Sequence, residues 1–300
     1  MIPRYARSRL ELHARLFLLR AAEPPAPNVH CYVTDVGPVD AAEQIRQGTA
    51  PATVLNEVTR PDSVINDDLR VLDSGTARLL TPEDDDWPIV RLTGLPDHGT
   101  PLALWVRVSG SLADAARSAV TVTGSRLSTP YGNTVAADLG YELAGRGTTV
   151  VSGGSFGIDE SAHRGALAAD GTAIVVLATG VDQTYPLPHE RLYQSVIDRG
   201  GLLVSEYPIG TCPARLRLHA RCRLLAALST ATVIVEAGQR SGALTVARAA
   251  RELGRPVYGV PGPIHSAASA GVNELLRTRA AEVATSANHV TVQKTGDARP

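Results

Sequence analysis

Residues 148–167 read TTVVSGGSFGIDESAHRGAL. A brief run rich in β-branched residues passes into Gly153, Gly154 and Gly157, and then into a stretch with helical spacing. Strand, glycine-rich turn and helix form the repeating unit of a parallel sheet, because parallel neighbours need a long crossover connection. The same unit recurs on both sides. Runs at 119–124 (AVTVTG), 172–178 (TAIVVLA), 201–206 (GLLVSE), 231–237 (ATVIVEA) and 256–262 (PVYGVPG) are short and rich in Val and Ile, with helical periods between them. Apolar strands without polar alternation imply a sheet covered on both sides. The expected fold class is therefore α/β, an extended Rossmann-like parallel sheet with helices on both faces, over residues 80–290.

Upstream, residues 1–70 lack strand alternation and contain helical pieces, RSRLELHARLFLLRA and GPVDAAEQIRQG. They read as a small helical module. The acidic TPEDDDWP at 81–88 reads as a linker or surface loop, and residues 291–300 as a tail. A chain of 300 residues has room for one large domain and one small one.

With 44% hydrophobic and 20% charged residues, the composition is that of an ordinary globular protein. Apolar runs such as AIVVLA at 173–178 fall far short of the roughly 20 residues needed to cross a bilayer. The N-terminal LFLL is likewise too brief for a secretory signal, so a cytoplasmic location without membrane attachment is expected. Cys31, Cys212 and Cys222 show no CxxC spacing, so neither a disulfide framework nor a metal site is expected. A net charge of −1 provides no global attraction to nucleic acid, and any such binding must be local. Apart from Lys294, every cationic side chain is arginine, whose planar forked donors suit phosphate and base stacking. A GC-rich genome gives the same bias.

In open α/β sheets, ligands sit beyond the carboxyl ends of the strands, where helix N-termini present free amides. Three junctions fall at that edge. TGSRLSTPYG (123–132) contributes Gly124, Ser125 and Arg126; the opening stretch contributes Gly153, Gly154, Phe156 and Gly157; EAGQRSGALT (236–245) contributes Arg240, Ser241 and Gly242. VPGPIHSAASAG at 260–271 offers a fourth. Singly, each is explained by the need to turn sharply. Together, two of them with an arginine, they point to a polyanion or a nucleotide phosphate. Neither GxGxxG with a following acid nor a Walker lysine motif is present, which disfavours a nicotinamide cofactor or ATPase chemistry, and no cofactor is expected.

The basic stretch RLRLHARCR at 215–223 carries Arg217, Arg221 and Arg223 and follows the fourth expected strand on the same edge. It reads either as a solvated helix face or as a phosphate site. Asp159 and His163, at i and i+4, share a helix face. The simpler reading has Asp159 complementing the helix N-terminus and His163 hydrogen-bonding locally. Glu206 and Glu236 fit general bases or turn carboxylates equally. No nucleophile, base and orienter triad emerges from the spacing, so no catalytic residue is assigned.

Taken in order, VTGSRLSTPYG, VVSGGSFGIDESAHRGAL, LATGVDQTYP, GLLVSEYPIG, RCRLLAALS, VIVEAGQRSGALTVARAA, GRPVYGVPGPI and SAGVNELLR resemble the motifs of the DNA-processing protein A family (DprA, also called Smf), over about residues 80–280. The flavour is that of actinobacterial members. The resemblance implies a non-catalytic, dimeric protein that binds single-stranded DNA at the strand-end edge and helps load a RecA-type recombinase during transformation or related recombination. It assigns Gly124, Ser125 and Arg126 to the family's GSR turn, Arg221 and Arg223 to its arginine-rich helix start, and Ser241 and Gly242 to its SG turn. Residues 1–70 then correspond to a SAM- or HhH-like module. Cys222 replaces a usual asparagine, Ala220 a frequent arginine, and Phe156 stands where an arginine often precedes GID. A winged-helix tail found in many relatives is not expected before Pro300. Tyr131, Tyr185 and Phe156 are the aromatic side chains available for stacking. Two other readings share this sheet type: a LOG-like phosphoribohydrolase, whose PGGxGT turn is replaced here by EAGQRSGALT, and a nucleotide-sensing defence module.

Overall fold

The computed structural model describes residues 8–95, 99–107 and 110–292. Five helices come first: α1 (Arg9–Ala21), α2 (Pro27–Val36), α3 (Pro38–Gln47), α4 (Ala52–Leu55) and α5 (Asn66–Ser74). A reciprocal capping box starts α1, with Ser8 accepting from the Glu11 amide and the Glu11 carboxylate accepting from the Ser8 amide. Next come β1 (Arg78–Leu80), α6 (Ile89–Leu92), β2 (Leu104–Arg107) and α7 (Leu112–Arg117). The main alternation follows: β3 (Ala119–Thr123), α8 (Pro130–Gly145), β4 (Thr149–Ser152), α9 (Ile158–Ala168), β5 (Ala173–Val176), α10 (Glu190–Asp198) and β6 (Leu202–Ser205). It continues through α11 (Arg215–Ala220), α12 (Cys222–Ala227), β7 (Ala231–Ile234), α13 (Ala243–Glu252), β8 (Val257–Gly259), α14 (Ala270–Arg277) and β9 (Glu282–Val283).

All nine strands join one sheet in the order β1-β2-β6-β5-β4-β3-β7-β8-β9. The strands from β3 to β9 run parallel, with Val120 opposite Val150 on one side and Ala231 on the other. At the other end, β1 pairs with β2 and β2 with β6 in antiparallel fashion. The sheet is thus mostly parallel, as expected, with two antiparallel strands added at one end. These two strands precede the βα alternation, so no crossover helix dictates their direction.

Successive residues of each strand face opposite layers. Ile174 and Val176 point into a core with Leu224 of α12 and Val246 of α13. Val120, Val150 and Val233 meet Leu139 of α8 and Ile158 of α9 on the other side. On that same side, Ala173, Val175 and Leu203 share a buried cluster with Leu16, Phe17 and Ile45 of the N-terminal helices. Those helices therefore form part of the layer covering one sheet face. The 81–88 loop is tethered: Asp86 binds Arg78 and Ser111, and Trp87 is buried. The expected tail lies outside the described residues after residue 292. Among the described residues, no helix is long and apolar enough to cross a membrane.

Candidate functional site

The chain runs from β3 to β4 on one side and later places β7 against the other edge of β3. The carboxyl ends of β3 and β7 thus border a topological switch point, the position where such sheets receive ligands. All three glycine-bearing turns converge there and are joined through their backbones. The Ser125 amide donates to the Glu236 carbonyl at 2.7 Å, and the Ile158 amide donates to the Ser125 carbonyl at 3.2 Å. Glycine is required at 157: its φ is +79°, and a Cβ would lie 2.5 Å from the Ser125 carbonyl oxygen and 2.8 Å from that of Arg126.

Two carboxylates fix the turns from within. Asp159 accepts from the Thr123 hydroxyl at 2.7 Å and the Ser155 amide at 3.1 Å, holding the start of α9 against β3. Glu236 accepts from the Thr129 amide at 2.9 Å and its hydroxyl at 2.6 Å, anchoring the start of α8. Glu236 therefore acts as a turn carboxylate, the second of its two sequence readings. Glu206 does the same kind of work elsewhere, gripping Arg223 with both oxygens.

What the rim presents outward is mostly donor. Among the described residues, the amides of Arg126, Phe156, Gly157, Arg240 and Gly242 find no internal acceptor. Arg126 and Arg240 are exposed and have no carboxylate partner among the described residues. The N-termini of α9 and α13 add their positive dipole ends. Beside Arg126 an open hollow of about 390 Å³ is lined by Ser128, Asn133, Gly157, Glu160 and Arg164. Phe156 is half-exposed and meets the His189 ring edge-on, centroids 4.7 Å apart.

The arginine-rich stretch is placed differently from its sequence reading. Its helix divides at Arg221 into α11 and α12, and the three arginines diverge. Arg217 donates to Glu23 at 2.7 Å and lies over the Tyr207 ring, tying α11 to the segment after α1. Arg221 is buried and donates to the carbonyls of Gly153 and Val176 and to the Ser155 hydroxyl. Arg223 is held by Glu206 and by the Gly99 carbonyl at 2.7 Å. None of the three offers its guanidinium freely to an incoming phosphate. Arg217, Arg221 and Arg223, expected to join the rim as phosphate ligands, have their guanidiniums engaged by internal acceptors in this structure.

Cys222, beside Arg221, packs its sulfur 3.8 Å from the Gly242 carbonyl. Burial pushes its thiol up, with Asp159 adding to the rise and the charges of Arg221 and Arg126 opposing it. His163 lies fully buried on the inner face of α9. Its ring lies near the Ser152 backbone, yet neither nitrogen makes a well-formed hydrogen bond, contrary to the local bond expected for it. Burial lowers its pKa to about 4, with Asp159 pulling the other way and His189 adding to the fall. Burial alone would raise Glu160, but Arg164 and His189 outweigh it and hold its carboxyl below the ordinary value.

Sequence reasoning missed the supports of the 153–157 turn. His189 Nδ1 sits 2.8 Å from the Gly154 carbonyl, and the Tyr193 hydroxyl donates to the same oxygen at 3.1 Å. Their i, i+4 spacing in HERLY was the available signal, since it puts both on one face. Among the described residues, no group of three or more His, Cys, Asp or Glu side chains could hold a metal ion.

Fold and rim together define a doubly wound α/β protein whose switch point carries amides and two arginines, Arg126 and Arg240, without partners among the described residues. The family model described as DNA recombination-mediator protein A matches residues 78–294, and the chain belongs to that family. The DNA processing protein DprA of Mycobacterium tuberculosis is 43% identical over 284 residues, covering 91% of this chain and 72% of the relative. Protein Smf of Escherichia coli is 37% identical over 198 residues, 66% of this chain and 52% of the relative. The X-ray structure of DprA from Streptococcus pneumoniae superposes with a TM-score of 0.74 at 27% identity, covering 94% of this chain and 97% of that one. DNA processing protein A from Helicobacter pylori, whose structure was described for its single-stranded DNA binding mode, superposes with a TM-score of 0.62 at 28% identity over 71% of this chain and 92% of that one.

Proposed function

We propose that this chain binds single-stranded DNA without sequence preference, gripping the phosphates at the rim. The observation that carries the reading is the convergence of three turns whose outward amides lack acceptors, flanked by the unpaired Arg126 and Arg240. Gly124, Ser125 and Arg126, then Phe156 and Gly157, and Arg240, Ser241 and Gly242 form the phosphate-facing surface, with the buried Gly153 and Gly154 shaping the turn beneath it. Phe156 supplies a face on which a base can stack. Arg221 contributes from beneath by positioning the 153–155 turn, while Arg217 and Arg223 tie their helices to Glu23 and Glu206. The single-stranded DNA binding described for the Helicobacter pylori relative supports this reading.

Membership of a recombination-mediator family supports a wider role: a cytoplasmic homodimer that helps load a RecA-type recombinase onto the bound strand. A binding rather than a catalytic role fits the carboxylates, because Asp159, Glu206 and Glu236 are each committed to internal partners. The test is a mobility shift with single- and double-stranded oligonucleotides of one sequence across a salt series. The strand is expected to bind more tightly than the duplex, with log affinity falling by about 0.7 per phosphate neutralised for each tenfold rise in salt. Equal affinity for both forms, or no dependence on salt, contradicts the proposal.

A further inference from the structure

A second basic hollow adjoins the rim. Between α9 and α10 runs an open groove of about 520 Å³, edged by Arg164, Arg191 and Arg199 and floored by Leu167 and Leu192. Arg164 also lines the hollow beside Arg126, so the two adjoin at that side chain. Arg191 is exposed, with no carboxylate partner among the described residues. Arg199 lies 3.7 Å from Asp170, whose side chain is 92% exposed, and Arg164 pairs with Glu160 one turn away on its own helix. Exposed pairs contribute about 0–1 kcal/mol, so an arriving phosphate competes for Arg199 at little cost, and Arg164, 63% exposed, stays reachable beside its partly buried partner Glu160.

Cationic edges over an apolar floor match an unpaired polynucleotide, which carries regular negative charge along one side and flat apolar faces on the other. They match a duplex poorly, because its bases are already stacked. The groove follows α9, whose 11 residues at about 1.5 Å each span about 16 Å from the rim to Ala168. At about 3.4 Å per nucleotide that is room for about five, and fewer if the strand is extended.

We propose that a single strand leaving the rim continues along the α9–α10 groove, its phosphates held by Arg164, Arg191 and Arg199. This rests on the reading of the rim as a single-strand site. It makes the α9–α10 surface a length-dependent extension of that site, engaged by long strands and not by short ones.

The test compares oligothymidylates of about 5 and about 20 nucleotides on the full chain, wild type against the double variant Arg191→Ala/Arg199→Ala. Both side chains are exposed, so an unchanged unfolding midpoint establishes that the variant is folded. The variant is expected to bind the long strand about tenfold more weakly, with a salt slope about 1.4 smaller, and the short strand as tightly as wild type. Arg191→Lys/Arg199→Lys keeps both charges and is expected to retain the slope. Equal weakening for both lengths, or none for the long strand, overturns the groove while leaving the rim intact. Wild-type protein that binds neither length overturns the rim reading and the groove with it.

Discussion

Arg221 lies under the 153–155 turn with its guanidinium turned inward, and that orientation separates two kinds of arginine at one edge. An arginine that meets phosphate releases counterions when it binds, whereas one that props up a turn does not. Arg126→Ala is therefore expected to lower both affinity and salt slope. Arg221→Lys, which cannot reproduce the fork of donors, is expected to cost about 1–3 kcal/mol of stability and to weaken binding with the slope unchanged. Binding measured over a salt series, together with urea unfolding, checks both; a reduced slope for Arg221→Lys would return that residue to the phosphate surface. His163 supplies a pH test. Its folded-state pKa of about 4 lies below the ordinary 6.5, so between those values the unfolded chain holds the proton and the folded chain does not. Stability is then complete above about 6.5 and falls as the pH drops toward 4, by up to about 1.4 kcal/mol per unit. Glu160, with its depressed carboxyl, acts in the same sense below its ordinary value of 4.5. Replacing His163 by leucine removes the unbonded ring nitrogens and is expected to flatten the curve between pH 6.5 and 4, read from urea midpoints. The turn residues were legible in the sequence because glycine and serine after a strand have few structural meanings. The fate of the arginines was not, since helical spacing tells which side chains share a face but not what that face meets.

At the scale of elements, α8 and α9 are the pair that aims the rim, since both start at it. They touch through small residues: a Cβ on Gly140 would strike the Ala162 carbonyl, and one on Gly165 the Ala137 carbonyl. Backbone carbonyls in a helix cannot rotate aside, so Gly165→Ala forces the helices apart. It is expected to destabilise by about 1–3 kcal/mol, measured by urea unfolding, and to weaken single-strand binding because both helix starts shift. A fully stable variant would mean that the interface has slack. The six strands from β3 to β8 coincide with the six apolar runs read from the sequence, since a strand buried on both sides must be apolar throughout. β1, β2 and β9, at two to four residues each, are too short to show a period and exist through the partners they find. RLRLHARCRLLAALS carries one continuous helical pattern, yet it divides where Arg221 turns in to reach the Gly153 carbonyl, a tertiary demand that no local pattern records.

The whole molecule is nearly neutral, with a net charge of −1, so the proposed attraction to DNA has to be a property of one edge rather than of the global field. The architecture leaves that edge clear. The N-terminal helices cover the sheet face over β5 and β6, joined to it by Arg20 and Asp68 at the Ile209 backbone and by Glu23 at Arg217, away from the carboxyl ends of β3 and β7. The most direct measurement is an NMR titration of backbone amides with a short oligothymidylate. The account predicts that the amides of Arg126, Phe156, Gly157, Arg240 and Gly242 shift together along one saturating curve, and that raising the salt reverses the shifts. If those five stay still while amides on another surface respond, the strand binds elsewhere and the rim is only a set of turns.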